Sequence, residues 1–454
     1  MAYTGFITRL KNVRPHPNAD RLQMAECFGN TVIVSLDYTN EQLGVYFPSD
    51  GQLSVEFAEA NNLLRKKDDA GNSIGGYMDP NKRNVTAIRL RGEKSDGLFL
   101  PLTSLESFGD ISALREGDRI DTFNGHEICC KYIPKRNIRQ GSVSEGNRTR
   151  RKSAPIAPLF QEHADTEQLA YNLAAFKPGD EIEITLKMHG TSQRTGYLPT
   201  FKGYKRSIVD RIKRRPGTPI YDWGYVSGTR RVVLNSYDGG YYGSNEFREQ
   251  HSKFFEGKLW KGETVYYEVV GFTHTGAPIM ASADNKKMND KEFIKQYGKE
   301  TVFSYGCAPD GWTINDKFIG FNSRQSDIYV YRMTMTNEDG DVVEYTPDFM
   351  RYRCEQMGAK TVPVMWKGVI PDPTNGEIVM NNFTSGDYIK SVAEKYYDGP
   401  DPIGKTHVRE GVVVRILNRP KFCAYKHKNF AFKVLEGIAK VEAEAPDMEE
   451  AQEI

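Results

Sequence analysis

Residues 181–190, EIEITLKMHG, decide how this sequence is interpreted. Apolar residues alternate with polar ones up to Leu186, which is typical of a β-strand with one buried face. Lys187 follows this run, and Gly190 permits a sharp turn or a close approach of the backbone to a ligand. A lysine at the edge of a sheet can act as a nucleophile when burial or nearby cations favour its neutral amine. Because a lysine before a turn is common, this stretch alone does not establish a site.

Two carboxylates elsewhere in the chain stand in similar surroundings. Glu268 lies in YYEVVG and Glu410 lies in REGVVV, each among strand-forming residues and close to a glycine. A buried carboxylate without a partner is costly. Each side chain is therefore expected to face a cation or a hydroxylated ligand.

A pair of lysines adds a third feature. Lys426 and Lys428 lie in AYKHK, and residues two apart on a strand point to the same face. Two ammonium groups on one face repel each other unless an anion lies between them, and a phosphate chain is a natural anion for this place. An exposed strand face explains the segment equally well when it is considered alone.

The chain from about residue 155 onward holds long alternating runs rich in Val, Ile and Tyr. These runs predict strands of a larger antiparallel sheet. Helical spacing fits four stretches of this part: 160–175, 287–297, 347–357 and 384–397.

The first 125 residues have a different pattern. Short apolar or β-branched runs occupy 31–36, 43–47, 85–92 and 97–102, and one helix fits 54–64. Several short strands with one helix predict a small barrel of the OB type. The predicted fold class is α+β, with this N-terminal barrel followed by a domain of antiparallel sheets flanked by helices.

Composition and charge limit the classes of function. The chain has 454 residues and a net charge of +1, from 61 basic and 60 acidic residues, which excludes a protein that is basic over its whole surface. The charge is unevenly distributed: residues 131–152 and 202–215 are basic, and the tail from residue 436 is acidic. A net charge of +1 is therefore compatible with a local basic groove. No apolar run is long enough to span a membrane, so we expect no membrane partner. Six scattered cysteines fit reduced thiols better than a zinc site or disulfides.

The chemical segments, taken in chain order, resemble the motifs of the covalent nucleotidyltransferase superfamily of ATP-dependent ligases and capping enzymes. That order is K-x-H-G, E-x-x-G, an aromatic strand, E-G and K-x-K. His189, in the lysine motif, is typical of phage-type double-strand RNA ligases, whereas DNA ligases usually have aspartate there. Residues 327–342 are similar to the strand that carries the adenine-stacking aromatic of those RNA ligases, with Tyr331 at that place. SGTRR at 227–231 resembles their arginine motif, which assigns Arg230, with Arg231 as the alternative.

The N-terminal part resembles a second family. RPHPNADRL at 14–22 and IRLRGEKSDGLFLP at 88–101 are similar to the tRNA-binding OB domain of aminoacyl-tRNA synthetases and their relatives. A branch of RNA ligases carries such a module before its catalytic domain. The predicted domains are an OB-fold nucleic-acid-binding domain over 1–125, a basic linker over 126–155, and an adenylyltransferase domain over 156–454 with an acidic C-terminal tail.

The resemblance implies an ATP-dependent RNA ligase that joins 3′-OH and 5′-phosphate RNA ends, in RNA repair. Lys187 would attack the α-phosphate of ATP to give lysyl-AMP, AMP would pass to the 5′-phosphate, and a 3′-OH would expel it. The other implied roles are as follows: Lys426 and Lys428 hold the α-phosphate, Glu268 binds the ribose hydroxyls, Tyr331 stacks on adenine, Arg230 contacts a phosphate or the ribose, His189 orients pyrophosphate or the RNA end, and Glu410 lies near Mg²⁺ or Mn²⁺. The implied partner is RNA, as a nicked duplex or a tRNA-like molecule. We expect a cytoplasmic monomer, and a phage source is compatible with the resemblance.

The sequence departs from the phage-type enzymes in three ways. The interval between Glu268 and Tyr331 is longer, so that about 276–325 is expected to be an insertion. Arg332 stands where the family usually has aspartate, which leaves Tyr329 and Phe303 as alternatives for the stacking ring. Too few residues follow the last motif for a C-terminal OB domain or a helical C-terminal domain, so the N-terminal module is expected to dock nucleic acid.

Two further functions are compatible with the sequence. One is an RNA-binding protein with an inactive nucleotidyltransferase domain, although such a domain would be expected to lack part of the lysine and glutamate set. The second is an RNA-capping guanylyltransferase, which His189 and the absence of a C-terminal OB domain disfavour. DNA ligation is disfavoured on the same grounds.

Overall fold

The chain, in a computed structural model, divides into two compact units, which are described separately. The first holds Met1–Val143 and Phe430–Ile454, and the second holds Ser144–Asn429. The structure describes residues 3–49, 51–67, 73–132, 154–163, 166–208, 210, 217–230, 232–234, 237, 245–279, 291–299, 305, 326–372, 384–404, 407–430, 432 and 439–440. None of the described helices has the length and apolar character that crossing a bilayer requires.

The first unit consists mainly of short strands. They are β1 (Gly5–Arg9), β2 (Lys11–Pro15), β3 (Leu22–Cys27), β4 (Asn30–Ser35), β5 (Leu43–Phe47), β6 (Gly51–Leu53), β7 (Lys66–Lys67), β8 (Ser73–Gly75), β9 (Asn84–Val85), β10 (Ala87–Leu90), β11 (Glu93–Ser95), β12 (Leu98–Pro101), β13 (Arg119–Ile120), β14 (Thr122–Phe123), β15 (His126–Glu127), β16 (Cys129–Lys131) and β27 (Ala439–Lys440). Helix α1 spans Val55–Ala60, and a 3₁₀ helix spans Leu102–Phe108. The hydroxyl of Ser54 caps α1 by accepting a hydrogen bond from the N–H of Phe57 at 3.0 Å.

The strands of the first unit pair into several small sheets. The largest has the order β12-β5-β1-β13, and three-stranded sheets have the orders β2-β3-β4, β16-β6-β9 and β11-β10-β27. Their apolar side chains share a core with α1 that includes Ile7, Phe47 and Phe57. No closed barrel forms among the described residues of this unit, so the OB domain stays a prediction.

The second unit contains longer strands and most of the helices. Its strands are β17 (Glu167–Gln168), β18 (Glu181–Leu186), β19 (Thr191–Lys205), β20 (Thr218–Gly228), β21 (Glu263–Gly271), β22 (Ser326–Thr336), β23 (Val342–Glu344), β24 (Val364–Val369), β25 (Gly411–Ile416) and β26 (Ala424–Lys428). Its helices are α2 (Glu246–Phe254), α3 (Lys291–Tyr297), α4 (Pro347–Met357) and α5 (Ser385–Glu394), with 3₁₀ turns at Leu169–Tyr171 and Leu173–Ala175.

Two five-stranded sheets organise the second unit. The first sheet has the order β17-β26-β25-β18-β24 and the second has the order β20-β19-β21-β22-β23. One face of the first sheet packs on α5 through Ile182, Val412 and Ile389, and one face of the second packs on α2 and α4 through Phe247 and Met350. Because side chains alternate along a strand, the intervening positions of the first sheet are free to line a site.

Most elements predicted for this unit are present. The helix predicted at 347–357 matches α4, and Thr384 begins α5 with a capping box that involves Asp387. The helix predicted at 287–297 is present as α3, and residues 287–290 lie outside the described residues. The predicted antiparallel sheets are confirmed, with β17–β26 as a parallel addition.

The helix predicted at 160–175 is wrong. This stretch holds β17 and two 3₁₀ turns instead. The side-chain amide of Asn172 donates to the carbonyl oxygen of Gln168 at 2.8 Å. A local side-chain bond of this kind competes with helical hydrogen bonding, while burial of Leu169 and Phe176 in the core under the first sheet fixes the turns.

Candidate active site

Strand pairing in the first sheet brings Lys187, which directly follows β18, and Lys428, the last residue of β26, to the same edge of the sheet. The backbone N–H of Lys187 donates to the carbonyl oxygen of Gly411 at 2.9 Å, and Gly411 pairs with Lys428 on β26. The next row on the same face holds Thr185, Val413 and Lys426. The three predicted lysines therefore share one face, as the spacing of Lys426 and Lys428 indicated.

Gly411 is required between these lysines. Its φ of +145° is a conformation that residues with a side chain rarely adopt. A Cβ atom at this position would lie 2.1 Å from the carbonyl oxygen of His427. The glycine of the E-G motif thus lets β25 and β26 approach closely enough to place Lys428 beside Glu410.

Glu410 joins the two lysines electrostatically. Its Oε1 lies 2.7 Å from Nζ of Lys187 and 3.1 Å from Nζ of Lys428. Only 3% of the Glu410 side chain is exposed, against 23% for Lys187. Burial raises the pKa of Glu410, but Lys187, Lys428 and His189 lower it by more, so that its pKa lies well below the usual range. The carboxylate is therefore ionised and holds the amine of Lys187 in place.

Glu268 lies on β21 of the second sheet, where it pairs with Ser192 and Tyr329. It lines the same cavity as Lys187. Burial raises the pKa of Glu268 to about 7, with the charge of Lys187 opposing the shift and that of Glu410 adding to it. Its protonation therefore changes near neutral pH.

A β-bulge sets the position of Tyr331. On β22, Arg332 pairs with Tyr266 and Val330 pairs with Tyr267, so that Tyr331 is the extra residue. A bulge redirects a side chain, and the Tyr331 ring lines the cavity. Its hydroxyl is 2.8 Å from Oγ of Ser192, and its ring centroid is 5.1 Å from that of His163.

The bulge also explains the arginine that departs from the family pattern. Arg332 is buried and makes a two-point ion pair with Glu344, at 3.0 and 2.9 Å. Arg415 of the first sheet contacts the same carboxylate at 3.2 Å. Glu344 thus ties the two sheets together, with Arg332 from the second sheet and Arg415 from the first on the same carboxylate.

The cavity collects several predicted residues from both sheets. Lys187, Arg230, Glu268 and Tyr331 line it, and Arg230 is exposed to solvent. Tyr329, which the sequence left open as the stacking ring, packs in a cluster with Met188 instead. Arg231 and Phe303 lie outside the described residues, as do most of the predicted linker, most of the predicted insertion and most of the acidic tail.

The cavity extends past the predicted residues along the first sheet. The remaining lining residues are His163, Thr166, Glu183, Thr185, Leu186, Met188, Met350, Val362, Val413, Arg415, Phe422 and Ala424. Glu183 is neutralised there by Arg351 at 2.8 Å and Lys367 at 3.1 Å. Arg351 and Lys367 also contact Asp348, so two cations meet two carboxylates there, whereas the lysine end carries two amines on one carboxylate.

His189 belongs to a buried group that the sequence did not reveal. Its ring centroid is 6.0 Å from that of His407, which stacks on Tyr305 at 4.0 Å. The Tyr305 hydroxyl donates to Asp401 at 2.5 Å, and Asp401 also accepts from two backbone N–H groups. These residues are far apart in the chain and share no spacing, so no pattern could have identified them.

Arg248 is a second residue that the sequence did not indicate. It lies on α2 and donates to the hydroxyl of Thr191 at 2.6 Å and to the carbonyl oxygen of Ser192 at 3.1 Å. It therefore fixes the chain directly after the lysine motif. A single arginine on a helix carries no signal for such a role.

The carboxylates of this site suit a divalent ion that takes most of its ligands from water and substrate phosphates. No cluster of three or more His, Cys, Asp or Glu side chains occurs in the described part of the chain. Glu410 is a single ionised carboxylate next to a cavity. Mg²⁺ commonly binds through one or two carboxylates together with water and substrate phosphates, so Glu410 fits that mode.

Known proteins were compared with this chain. No protein-family profile and no curated protein matches it. Solved structures of the Naegleria gruberi RNA ligase do match: the form with PPi has a TM-score of 0.52 at 15% identity, over 94% of this chain and 97% of that chain. A mutant with ATP and Mn has a TM-score of 0.52 at 15% identity, over 96% of this chain and 99% of that chain. A mutant with AMP and Mn has the same TM-score and identity, over 95% of this chain and 98% of that chain.

The chain has an RNA ligase fold. The match extends over nearly the whole of both chains, so the first unit is included in it as well as the second. The predicted resemblance to ATP-dependent RNA ligases is thereby confirmed at the level of the fold. Within this fold, Lys187, Glu268 and Arg230 line one cavity, and Glu410 contacts Lys187 beside it.

Proposed function

We propose that this protein is an ATP-dependent RNA ligase that joins 3′-OH and 5′-phosphate ends through lysyl-AMP and RNA-adenylate, in RNA repair. The observation that supports this most strongly is the position of Lys187. Its amine lies 2.7 Å from Glu410 beside a cavity lined by Glu268 and Tyr331. The solved structures with this fold that are named above are forms of an RNA ligase, including one with ATP and Mn and one with AMP and Mn.

In the first step Lys187 loses a proton to solvent, and its neutral amine attacks the α-phosphorus of ATP. A nitrogen–phosphorus bond forms, the bond to the bridging oxygen breaks, and pyrophosphate leaves. Phosphoryl transfer depends on position and charge neutralisation more than on covalent assistance. Glu410 holds the amine in place, and Lys426 and Lys428 neutralise the α-phosphate from the same sheet face.

The nucleoside part of ATP occupies the cavity in this proposal. Tyr331 stacks on adenine, since the bulge turns its ring into the cavity. Glu268 accepts hydrogen bonds from the ribose hydroxyls. Arg230 contacts a phosphate or the ribose, for which its exposed position on the cavity lining is suited.

A divalent cation, Mg²⁺ or Mn²⁺, supplies further neutralisation of phosphate charge when bound. Glu410 is the residue that would hold it, directly or through water. The two lysines on this carboxylate would then be released toward the phosphates, which are their stronger partners once the nucleotide is present.

The later steps use the same residues. An oxygen of the RNA 5′-phosphate attacks the lysine-bound AMP, so that the nitrogen–phosphorus bond breaks and RNA-adenylate forms. The 3′-OH of the second strand then attacks the 5′-phosphate, and AMP leaves. His189 orients the pyrophosphate or the RNA end, and its ring packs against His407, which is itself stacked on Tyr305.

The first unit is assigned to RNA docking in this proposal. Its resemblance to tRNA-binding OB domains favours a nicked duplex or a tRNA-like molecule as partner. We propose a cytoplasmic monomer.

A joining assay tests the proposed function. RNA strands with a labelled 5′-phosphate and a free 3′-OH are incubated with the protein, Mg²⁺ and either ATP or GTP, as single strands and as nicked duplexes. We expect ATP-dependent joining and a transient RNA-adenylate band. Transfer of GMP to RNA ends in place of joining would identify a capping enzyme, and RNA binding without any nucleotide transfer would identify an inactive domain.

A further inference from the structure

Strands β19 and β20 extend beyond the second sheet as a two-stranded ribbon. β19 pairs with β21 from Thr191 to Gly196, whereas its pairing with β20 continues to Lys205. Residues 197–205 and 218–225 thus form a ribbon that projects from the sheet. β19 begins at Thr191, directly after the lysine motif, so the same strand joins the ribbon to the proposed catalytic lysine.

One face of the ribbon carries a row of aromatic rings. The register places Tyr197 opposite Tyr225, Pro199 opposite Trp223 and Phe201 opposite Tyr221, all on the same face. The rings of Tyr197 and Tyr225 stack at 4.6 Å, and Trp223 lies 5.8 Å from Tyr197. All of these side chains keep part of their surface exposed.

The opposite face of the ribbon is already covered. Leu198 and Val226 pack there with Ala157 and Phe160. Packing against the body of the protein therefore accounts for that face. On the aromatic face, Tyr197 and Tyr225 pack at the edge of the core of the second sheet, and Phe201, Tyr221 and Trp223 continue the row beyond it with part of their surface exposed. Tyr225 is held by a hydrogen bond from the N–H of Gly257 at 2.6 Å, so the aromatic row has a fixed position.

The aromatic row is bordered by positive charge. Nζ of Lys261 lies 5.3 Å from the Trp223 ring centroid. Lys202 and Lys205 are also exposed, but on the opposite face of the ribbon, where Lys205 pairs with Thr218 and Lys202 lies beside Gly224, and Arg206 is exposed directly after β19. The acidic residues are fewer: Asp222 is exposed on β20, and Asp210 accepts a hydrogen bond from Ser207.

We propose that this ribbon binds an unpaired stretch of RNA several nucleotides from the joint, with bases stacked on Trp223 and its neighbours and a phosphate held by Lys261. Accessible rings together with lysines are what single-stranded nucleic acids bind. A strand rises about 3.3 Å per residue, so Tyr197 lies roughly 20 Å along β19 from Thr191. The ribbon therefore contacts nucleotides several positions from the joint. This inference rests on the proposed function for its substrate class.

Fluorescence anisotropy with labelled oligouridylate of about 12 nucleotides, within the site sizes of single-strand binders, tests the proposal on the full chain. We expect Trp223→Ala to weaken binding about tenfold, since one stacked base is lost, and Trp223→Phe to retain most of it. Lys261→Ala should lower the slope of log affinity against log salt by about 1. Tyr352→Ala, an exposed tyrosine on α4, and Lys177→Ala, an exposed lysine before β18, are matched controls that should change neither quantity.

Thermal unfolding of each variant separates a local effect from loss of the fold. If Trp223→Ala lowers the unfolding midpoint, its loss of binding is not counted. The proposal is then judged from Trp223→Phe and Lys261→Ala, provided that these variants unfold at the same midpoint as the wild type. Binding equal to wild type in Trp223→Ala, an equal loss in the control variants, or binding of duplex RNA alone would overturn the proposal. Joining activity of the wild type is measured separately. If the wild type does not join RNA but the ribbon substitutions still abolish RNA binding, the proposed ligase function is rejected and this inference stands.

Discussion

At the scale of single residues, Glu410 sets the charge of the site. One carboxylate, with 3% of its side chain exposed, lies within 3.1 Å of two ammonium groups. Its charge neutralises only one of them, so the site keeps a positive charge that suits an incoming phosphate. In a buried place, it is costly to leave one partner of an ion pair without the other. The two ammonium groups therefore favour the ionised form of Glu410.

Tyr331 offers a direct test of the nucleotide-binding cavity. Replacement by alanine removes the ring, and stacking of a base on an aromatic side chain contributes about 1–3 kcal/mol. We expect Tyr331→Ala to weaken ATP binding by roughly 5- to 150-fold, measured by calorimetric titration. Tyr331→Phe keeps the ring and loses only the hydrogen bond to Ser192, so it should bind almost as wild type does. Equal losses in the two variants would show that the hydroxyl, and not the ring, is what matters.

Glu268 should make nucleoside binding depend on pH. Burial raises its pKa to about 7 from 4.5, so ionisation increases as the pH rises from 6 to 8. If the carboxylate binds the ribose hydroxyls, the affinity for adenosine should increase about tenfold over that interval, in proportion to the ionised fraction. Adenosine is the appropriate ligand because it has no phosphate to titrate. The free energy of unfolding should fall over the window from about 4.5 to 7, because the folded chain binds the extra proton.

The matched variant for that titration is Glu268→Gln. It should bind adenosine with an affinity that does not vary between pH 6 and 8. A wild-type affinity that is flat with pH, or a slope that persists in Glu268→Gln, would remove Glu268 from the ribose site.

At the scale of elements, strand pairing explains both what the sequence showed and what it concealed. The alternation in 181–186 and 411–416 was sufficient to predict two strands with a buried face, and the spacing of Lys426 and Lys428 was sufficient to place both on one face. The bulge at Tyr331 could not be predicted, because the extra residue is defined only by the pairing of β22 with β21. The bulge directs the Tyr331 ring into the cavity, and the next residue, Arg332, reaches Glu344.

Gly411 tests whether the spacing of β25 and β26 controls the chemistry. Gly411→Ala forces a Cβ atom to within 2.1 Å of the His427 carbonyl oxygen at a φ of +145°. The strands must separate, which moves Lys428 away from Glu410. We expect the rate of lysine adenylylation to fall by about a hundredfold, since misplacement of a catalytic group by about 1 Å has effects of that size.

Gly117→Ala is the control for this substitution. Gly117 also has a positive φ, of +98°, but a Cβ atom there would meet nothing within 4 Å. Its adenylylation rate should stay close to wild type. A similar loss in both variants would mean that general destabilisation, and not the strand spacing, causes the effect.

At the scale of the whole molecule, the sequence predicted the fold of the second unit better than that of the first. Long strands with strict alternation produce a strong signal, and the two five-stranded sheets follow from them. The first unit is built from many strands of two to six residues, and such short elements specify their partners weakly. Tertiary pairing decides them, as with β27, which pairs in parallel with β10 from a position more than 300 residues away in the chain.

The division into two units predicts a separation of activities. A fragment of residues 144–429 contains every proposed catalytic residue and both large sheets. We expect it to form the lysine adenylate at close to the full-length rate but to seal nicked RNA poorly, because the proposed docking unit is missing. Gel assays of both activities, beside the full chain and its Lys187→Ala variant, provide the measurement. An equal loss of adenylylation and sealing would count against a docking role for the first unit.

Identification of the residue that receives AMP tests the central claim most directly. The protein is incubated with ATP and Mg²⁺, digested, and the peptides are sequenced by mass spectrometry. The account predicts one AMP adduct, on the nitrogen of Lys187, which is labile to acid, is lost on addition of pyrophosphate and is absent from Lys187→Ala. No adduct on the wild type, or an adduct on another residue that persists in Lys187→Ala, would contradict it.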